Sequence, residues 1–179
     1  MFERKVNWMT TKKLCINAMG IALFVVLALC VQVPVFENYY LCLGYVAMAL
    51  YTYYFGTVSG TLVGTVGVLL YCLLTSGLRG MPGWILGNAV IGILCGITAG
   101  YAKKQKSMWV KQVLLAVVVV FSTAIGILVV KSLTEVLLYS LPFLLRVANN
   151  IYAFMADVIV LVIGFEICIT GEKVLKRMI

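Results

Sequence analysis

Histidine is absent from this 179-residue chain, and charge is scarce: 11% of residues are Asp, Glu, Lys or Arg, and only six are acidic. Without imidazole there is no His-based catalytic triad, no H-E-x-x-H zinc site and no histidine-ligated haem. A soluble domain carries about a quarter charged residues and uses them to cover its core. At 64% apolar residues this chain lacks that cover, and lipid is the solvent that resolves the mismatch. No G-x-x-x-x-G-K-[ST] run and no G-x-G-x-x-G in a strand–helix context is present, so an uphill transport step needs its ATPase on another chain. Asp157 is the one acidic residue deep in an apolar run, which leaves no acid-rich proton relay. No cysteine belongs to a C-x-x-C pair. Cys15, Cys30, Cys42, Cys72, Cys95 and Cys168 lie in or beside apolar runs and read as small fillers of helix interfaces. Neither a metal nor a cofactor is expected, and no enzyme activity.

What charge exists is clustered. Arg4, Lys5, Lys12 and Lys13 precede the first apolar run; Lys103, Lys104, Lys106 and Lys111 share a mid-chain break; Lys173, Lys176 and Arg177 close the chain. Only Arg79, Lys131 and Arg146 fall elsewhere. The net charge of +8 therefore reads as membrane orientation, and there is no basic stripe with interleaved aromatics to hold a nucleic acid.

Six apolar spans are expected: 14–33, 40–55, 61–74, 84–101, 113–130 and 143–169. Pro34, Glu37 and Asn38 break the first; Gly56 to Gly60 reads as a tight turn; residues 75–83 form a Gly- and Pro-rich loop; residues 131–142 read as a mixed amphipathic connection. The first span, at 20 residues, is longer than a signal-peptide core and reads as retained. Spans two and three, at 16 and 14 residues, are short of the ~20 needed to cross, and one re-entrant hairpin is the alternative. With six spans, 11 of the 14 Lys and Arg residues fall on the side of both termini. That side is the cytoplasm. The fold class is thus an all-α integral membrane protein in the cell membrane, a bundle of about six helices, read as one transmembrane domain over 1–179.

Polar residues at membrane depth are few and so informative. Arg146, Asn149, Asn150, Ala153 and Asp157 recur at helical spacing on span six. Span four adds Trp84 and, one turn on, Asn88. The outer connections add Glu37, Asn38, Tyr39, Tyr40 and Arg79. Together these residues can line one outward-opening cavity for a small polar ligand with an apolar part. Each also has a packing role open to it: Asp157 paired with another helix, the asparagines as interhelical glue, the arginines as interfacial anchors. Glu166 reads as facing the headgroups. Small residues recur every fourth position at Ala18/Ala22, Gly56/Gly60/Gly64 and Gly92/Gly96/Gly100, a spacing that lets helices approach closely. The last set reads as internal packing, whereas Ala18 and Ala22 lie where another subunit can dock.

Several landmarks recur in one order: Ala18-Met19-Gly20-Ile21-Ala22 after the basic start, Glu37-Asn38-Tyr39-Tyr40 after span one, and the run from Tyr54 to Gly64, similar to an F-G-P-x-x-G-x-x-x-G turn with Thr57 in place of proline. Gly83-Trp84 opens span four and Val147-Ala148-Asn149-Asn150 lies in span six. On these the chain resembles the substrate-binding S components of energy-coupling factor (ECF) vitamin transporters, the riboflavin-type subgroup and its relatives. The resemblance implies capture of a vitamin from outside, with a transmembrane T component and two cytoplasmic ATPases driving its release inward. It implies that Ala18 and Ala22 contact the T component and that residues 35–40 cap the ligand. Riboflavin is the first expectation; pantothenate, folate, a thiamine precursor or a queuosine precursor are alternatives, as is a non-transporting membrane scaffold.

Overall fold

Long apolar runs, punctuated by glycine, proline and lysine, set the order of elements. The computed structural model describes residues 8–30, 32–36, 39–75, 81–140 and 142–178. Helix α1 (Trp8–Cys30) leads into a two-stranded antiparallel hairpin, β1 (Gln32–Phe36) and β2 (Tyr39–Cys42). Helices α2 (Gly44–Phe55), α3 (Thr57–Leu74) and α4 (Met81–Ala102) follow. Helix α5 (Met108–Thr123) passes through a π-helical segment (Ala124–Lys131) into α6 (Ser132–Tyr139), and α7 (Phe143–Met178) closes the chain.

Five stretches are long and apolar enough to cross a membrane: Thr11–Cys30, Thr57–Leu74, Met81–Ala102, Met108–Tyr139 and Phe143–Glu172. The sixth helix, α2, has 12 residues, about 18 Å at 1.5 Å per residue. Strand β2 adds depth in front of it, so the expected second span is part strand and part helix.

Several expected boundaries are corrected. The hairpin was not expected: Val33 ends no helix but pairs with Leu41, and Pro34 pairs with Tyr40. Gly56 alone makes the turn between α2 and α3, at φ 93°, a left-handed conformation that favours glycine. Residues 57–60 already belong to α3. The connection 131–142 is mostly helix, because α6 continues the rod of α5. Helix α7 runs through Gly171 to Met178.

Close helix contacts explain the small residues. A Cβ on Gly92 would lie 2.7 Å from Thr61 Oγ1, and one on Gly96 would lie 2.6 Å from Thr57 Cα. The glycines of α4 thus let α3 pack backbone-close, as internal packing requires; Gly100, with open space around it, takes no part. Between α4 and the π segment, a Cβ on Gly87 would lie 2.6 Å from the Gly126 carbonyl oxygen, and one on Gly126 would lie 2.7 Å from the Gly87 oxygen. Phe24, Tyr45, Met48, Tyr53, Ile91 and Phe165 fill the space between helices, while leucine, valine and isoleucine side chains cover the outside, as lipid permits.

One end of the bundle gathers the lysines. Lys111 Nζ of α5 lies 3.4 Å from Glu172 Oε2 of α7, and the Tyr53 hydroxyl of α2 donates to the same carboxylate. Lys103 sits over the Tyr53 ring, 4.8 Å from its centroid. Gln112 Nε2 donates to Glu166 at 2.7 Å, so Glu166 is held by α5 and does not simply face headgroups. By the positive-inside rule this end is cytoplasmic, and the hairpin and the α6–α7 junction lie at the outer end.

Candidate functional site

Polar side chains inside the outer half form two joined groups. The first hangs on Tyr45, which is fully buried. Trp84 Nε1 donates to the Tyr45 hydroxyl at 2.8 Å, and that hydroxyl donates to Asn88 Oδ1 at 2.8 Å. Asn88 Nδ2 then donates to the Gly64 carbonyl at 3.3 Å. Helices α2, α3 and α4 are thereby tied by one chain of hydrogen bonds. Trp84 also stacks edge-on against Tyr71, at 5.8 Å between centroids. Asp157 of α7, buried, lies against Tyr45 and within electrostatic reach of Lys131.

The second group surrounds Glu135. Asn150 Nδ2 donates to Ser132 Oγ at 2.9 Å and reaches Glu135 Oε2 at 3.4 Å. Arg146 Nε stands 3.8 Å from the same carboxylate oxygen. Lys131 feels Glu135, Asp157 and Arg146 together, which joins the two groups. Leaving such groups in hydrocarbon without partners costs several kcal/mol each, so mutual pairing is what makes the cluster tolerable.

The π segment brings this about. Along α5 the buried positions are Lys111, Leu115, Val119, Ser122 and Thr123, with Gly126 and Ile127 next in the π segment. Continued α-helically, that face would carry on to Leu133 and Leu137. Instead Leu133 and Leu137 are exposed while Ser132 and Glu135 are buried. The wider turn advances the register by about one residue, turning the polar side of α6 inward and its leucines to lipid.

Of the residues singled out from sequence, Trp84, Asn88, Arg146, Asn150 and Asp157 converge here. Asn149 does not join them: its side chain is exposed, because neighbours on a helix point ~100° apart. Tyr39 and Tyr40 lie in β2, on the hairpin that packs against α7. Glu37, Asn38 and Arg79 lie outside the described residues. Tyr45, Lys131, Ser132 and Glu135 were missed. The four-residue spacing of Lys131 and Glu135 was visible, but they sit in a segment whose mixed polarity reads as a connection. Ala18 and Ala22 are both exposed on α1, while Gly20 between them is buried against α2 and α3.

A family model described as "ECF-type riboflavin transporter, S component" matches residues 8–173. The match includes every described residue of the outer polar cluster and all but the last turn or so of α7. The resemblance read from sequence order is thereby shown, and with it the role in vitamin uptake across the cell membrane alongside T and ATPase components. This chain belongs to the family of S components of ECF-type riboflavin transporters.

Proposed function

We propose that this chain captures riboflavin itself, in the outer half of the bundle, between α4, the π segment, α6 and α7. The observation that carries the reading is charge balance. Among the described residues, the outer cluster holds two cations, Lys131 and Arg146, and two carboxylates, Glu135 and Asp157, set against one another. A site of zero net charge suits a neutral ligand. Riboflavin is neutral and carries hydroxyls and a hydrogen-bonding ring edge, which amides and carboxylates can match. Its flat apolar ring suits Trp84 and Tyr71. Pantothenate and folate are anions and thiamine is a cation, so each would leave a buried charge unpaired, at a cost of several kcal/mol.

In this reading Asn88, Arg146, Asn150 and Asp157 contact the ligand or hold the groups that do. Tyr39 and Tyr40 belong to a hairpin that closes over it, together with Glu37, Asn38 and Arg79 from the neighbouring connections; Asn149 serves elsewhere. The exposed Ala18–Ala22 face of α1 docks the T component, and the chain works as one transmembrane domain without catalysis of its own. Denaturing the purified protein and identifying what it releases by mass spectrometry tests this. Released riboflavin, and calorimetric binding of riboflavin far above pantothenate, folate and thiamine, is the expected result. Preference for an ionic vitamin would overturn it, and failure to bind any small molecule would favour a scaffold.

A further inference from the structure

Tyr45 is fully buried and offers no surface to a ligand, yet its hydroxyl ties the outer half together. Its ring lies edge-on to Phe24 of α1, also fully buried, at 6.0 Å between centroids and 75° between planes. Two closely packed rings thus fix where the hydroxyl stands. That hydroxyl accepts from Trp84 Nε1 and donates to Asn88 Oδ1, both at 2.8 Å. Asn88, fully buried as well, spends the other end of its amide on the Gly64 carbonyl. A tyrosine hydroxyl has one proton to give, so Tyr45 and Asn88 form a frame whose donors are used within the protein.

Trp84 differs from both. It is half-buried and stands in the first turn of α4, directly after Pro82 and Gly83, where helix ends fray. An indole has one polar hydrogen and no acceptor, and here that hydrogen is spent on Tyr45. What Trp84 has left to offer is ring surface, with the Tyr71 ring set against it at 86°. With its N–H held, the indole has lost its freedom to swing before any ligand arrives. Ordering one such side chain during binding costs about two- to tenfold in affinity. We infer that Tyr45 is a positioning residue for the vitamin's ring: without touching the ligand, it holds the Trp84 indole in the orientation against which a flat heteroaromatic ring stacks. The inference rests on the riboflavin reading above and adds to it the residue that preorganises the ring seat.

The test is a mutant cycle on the full chain in mild detergent. Titration calorimetry measures affinity for riboflavin and for lumiflavin, the same ring with a methyl in place of the ribityl chain. Tyr45→Phe keeps the ring beside Phe24 and removes only the hydroxyl. It should weaken both ligands by the same factor, about three- to tenfold. In a Trp84→Phe background, which has no indole N–H to hold, the same change should alter affinity by less than about twofold. A merely structural role gives equal losses in both backgrounds, and that result would overturn the inference. So would a loss confined to riboflavin, or a wild type that binds riboflavin but not lumiflavin, since ring contact would then carry no affinity. Trp84 itself supplies a direct readout. The chain has three tryptophans, and Trp8→Phe/Trp109→Phe, at the starts of α1 and α5, leaves the Trp84 indole as the only reporter. Its N–H proton resonance should be sharp and slow to exchange with water in the ligand-free protein, and Tyr45→Phe should broaden it and speed its exchange. Should Tyr45→Phe not fold, the signal of the Tyr45 protein decides: fast exchange before ligand is added overturns the inference. A wild type that binds neither flavin overturns the riboflavin reading and this inference with it, whereas equal losses beside firm riboflavin binding overturn only the role of Tyr45.

Discussion

One step along α7 separates Asn150, at 2% exposure, from Asn149 on the outer surface. The two are chemically identical, so they isolate the effect of direction. Asn150→Ala removes the donor that positions Ser132 and Glu135 and, in the proposed site, a polar partner of the ligand, at about 1–3 kcal/mol. Riboflavin binding should weaken about five- to a hundredfold by titration calorimetry, while Asn149→Ala binds as wild type. Equal effects in the two would detach the site from this face of α7. Asn88 poses a different case, because both ends of its amide are used within the protein. Asn88→Ala takes the acceptor from the buried Tyr45 hydroxyl and the second donor from the Gly64 carbonyl, so it should cost about 1–3 kcal/mol of stability, read as a lower unfolding temperature in detergent. Trp84→Phe keeps the ring contact and loses only the donor to Tyr45; it should bind more tightly than Trp84→Ala.

Among elements, the rod from α5 to α6 carries the clearest expectation. Its π segment is the reason Ser132 and Glu135 face inward. Deleting Val129, an exposed residue of that segment, should remove the wider turn and restore α-helical pitch. One residue fewer offsets the lost register, so Ser132 and Glu135 stay inward and Leu133 and Leu137 stay toward lipid. The protein should stay helical by circular dichroism and keep its ligand affinity; lost affinity would mean that the wider turn serves more than register. Helix α4 offers a paired test of close packing. Gly92→Leu forces a side chain against the Thr61 backbone, 2.8 Å from its Cα, and should destabilise by about 1–3 kcal/mol or more. Gly100→Leu, on the same helix face by spacing, meets nothing within 4 Å and should be neutral in the same thermal assay.

For the whole molecule, orientation and docking are the quantities to measure. In a variant stripped of native cysteines, a single cysteine at Ser107 should resist a membrane-impermeant thiol reagent in intact cells. One at Thr75 should react. The reverse pattern would place the outer cluster in the cytoplasm. Ala18→Trp or Ala22→Trp should block close helix approach on the exposed face of α1. Uptake should fall while the isolated subunit binds its vitamin normally; normal transport would move the T-component contact elsewhere.

The amino-acid order by itself determined that this is a polytopic helical membrane protein and which helices supply polar groups at depth, and its lysine placement sets the expected orientation. Those conclusions rest on local quantities: run length against bilayer thickness, lysine placement, and the rarity of Asn, Asp and Arg in apolar segments. Trp84, Asn88, Arg146, Asn150 and Asp157 were legible for that reason. The β-hairpin was less so, because the Val33–Phe36 and Tyr39–Cys42 runs are as apolar as a helix end, and the Glu37-Asn38 break served either reading. The seven-residue step from Asn150 to Asp157, nearly two helical turns, already favoured Asn150 over Asn149 as the inward residue, and the structure buries the first and exposes the second. It alone revealed Tyr45, whose role comes from Trp84 and Asn88, 39 and 43 residues away. Only the tertiary structure brought Lys131, Ser132 and Glu135 into the outer polar cluster, through a change of helical pitch. That pitch accompanies the close approach of Gly87 and Gly126, and no short window of sequence contains both partners of that contact.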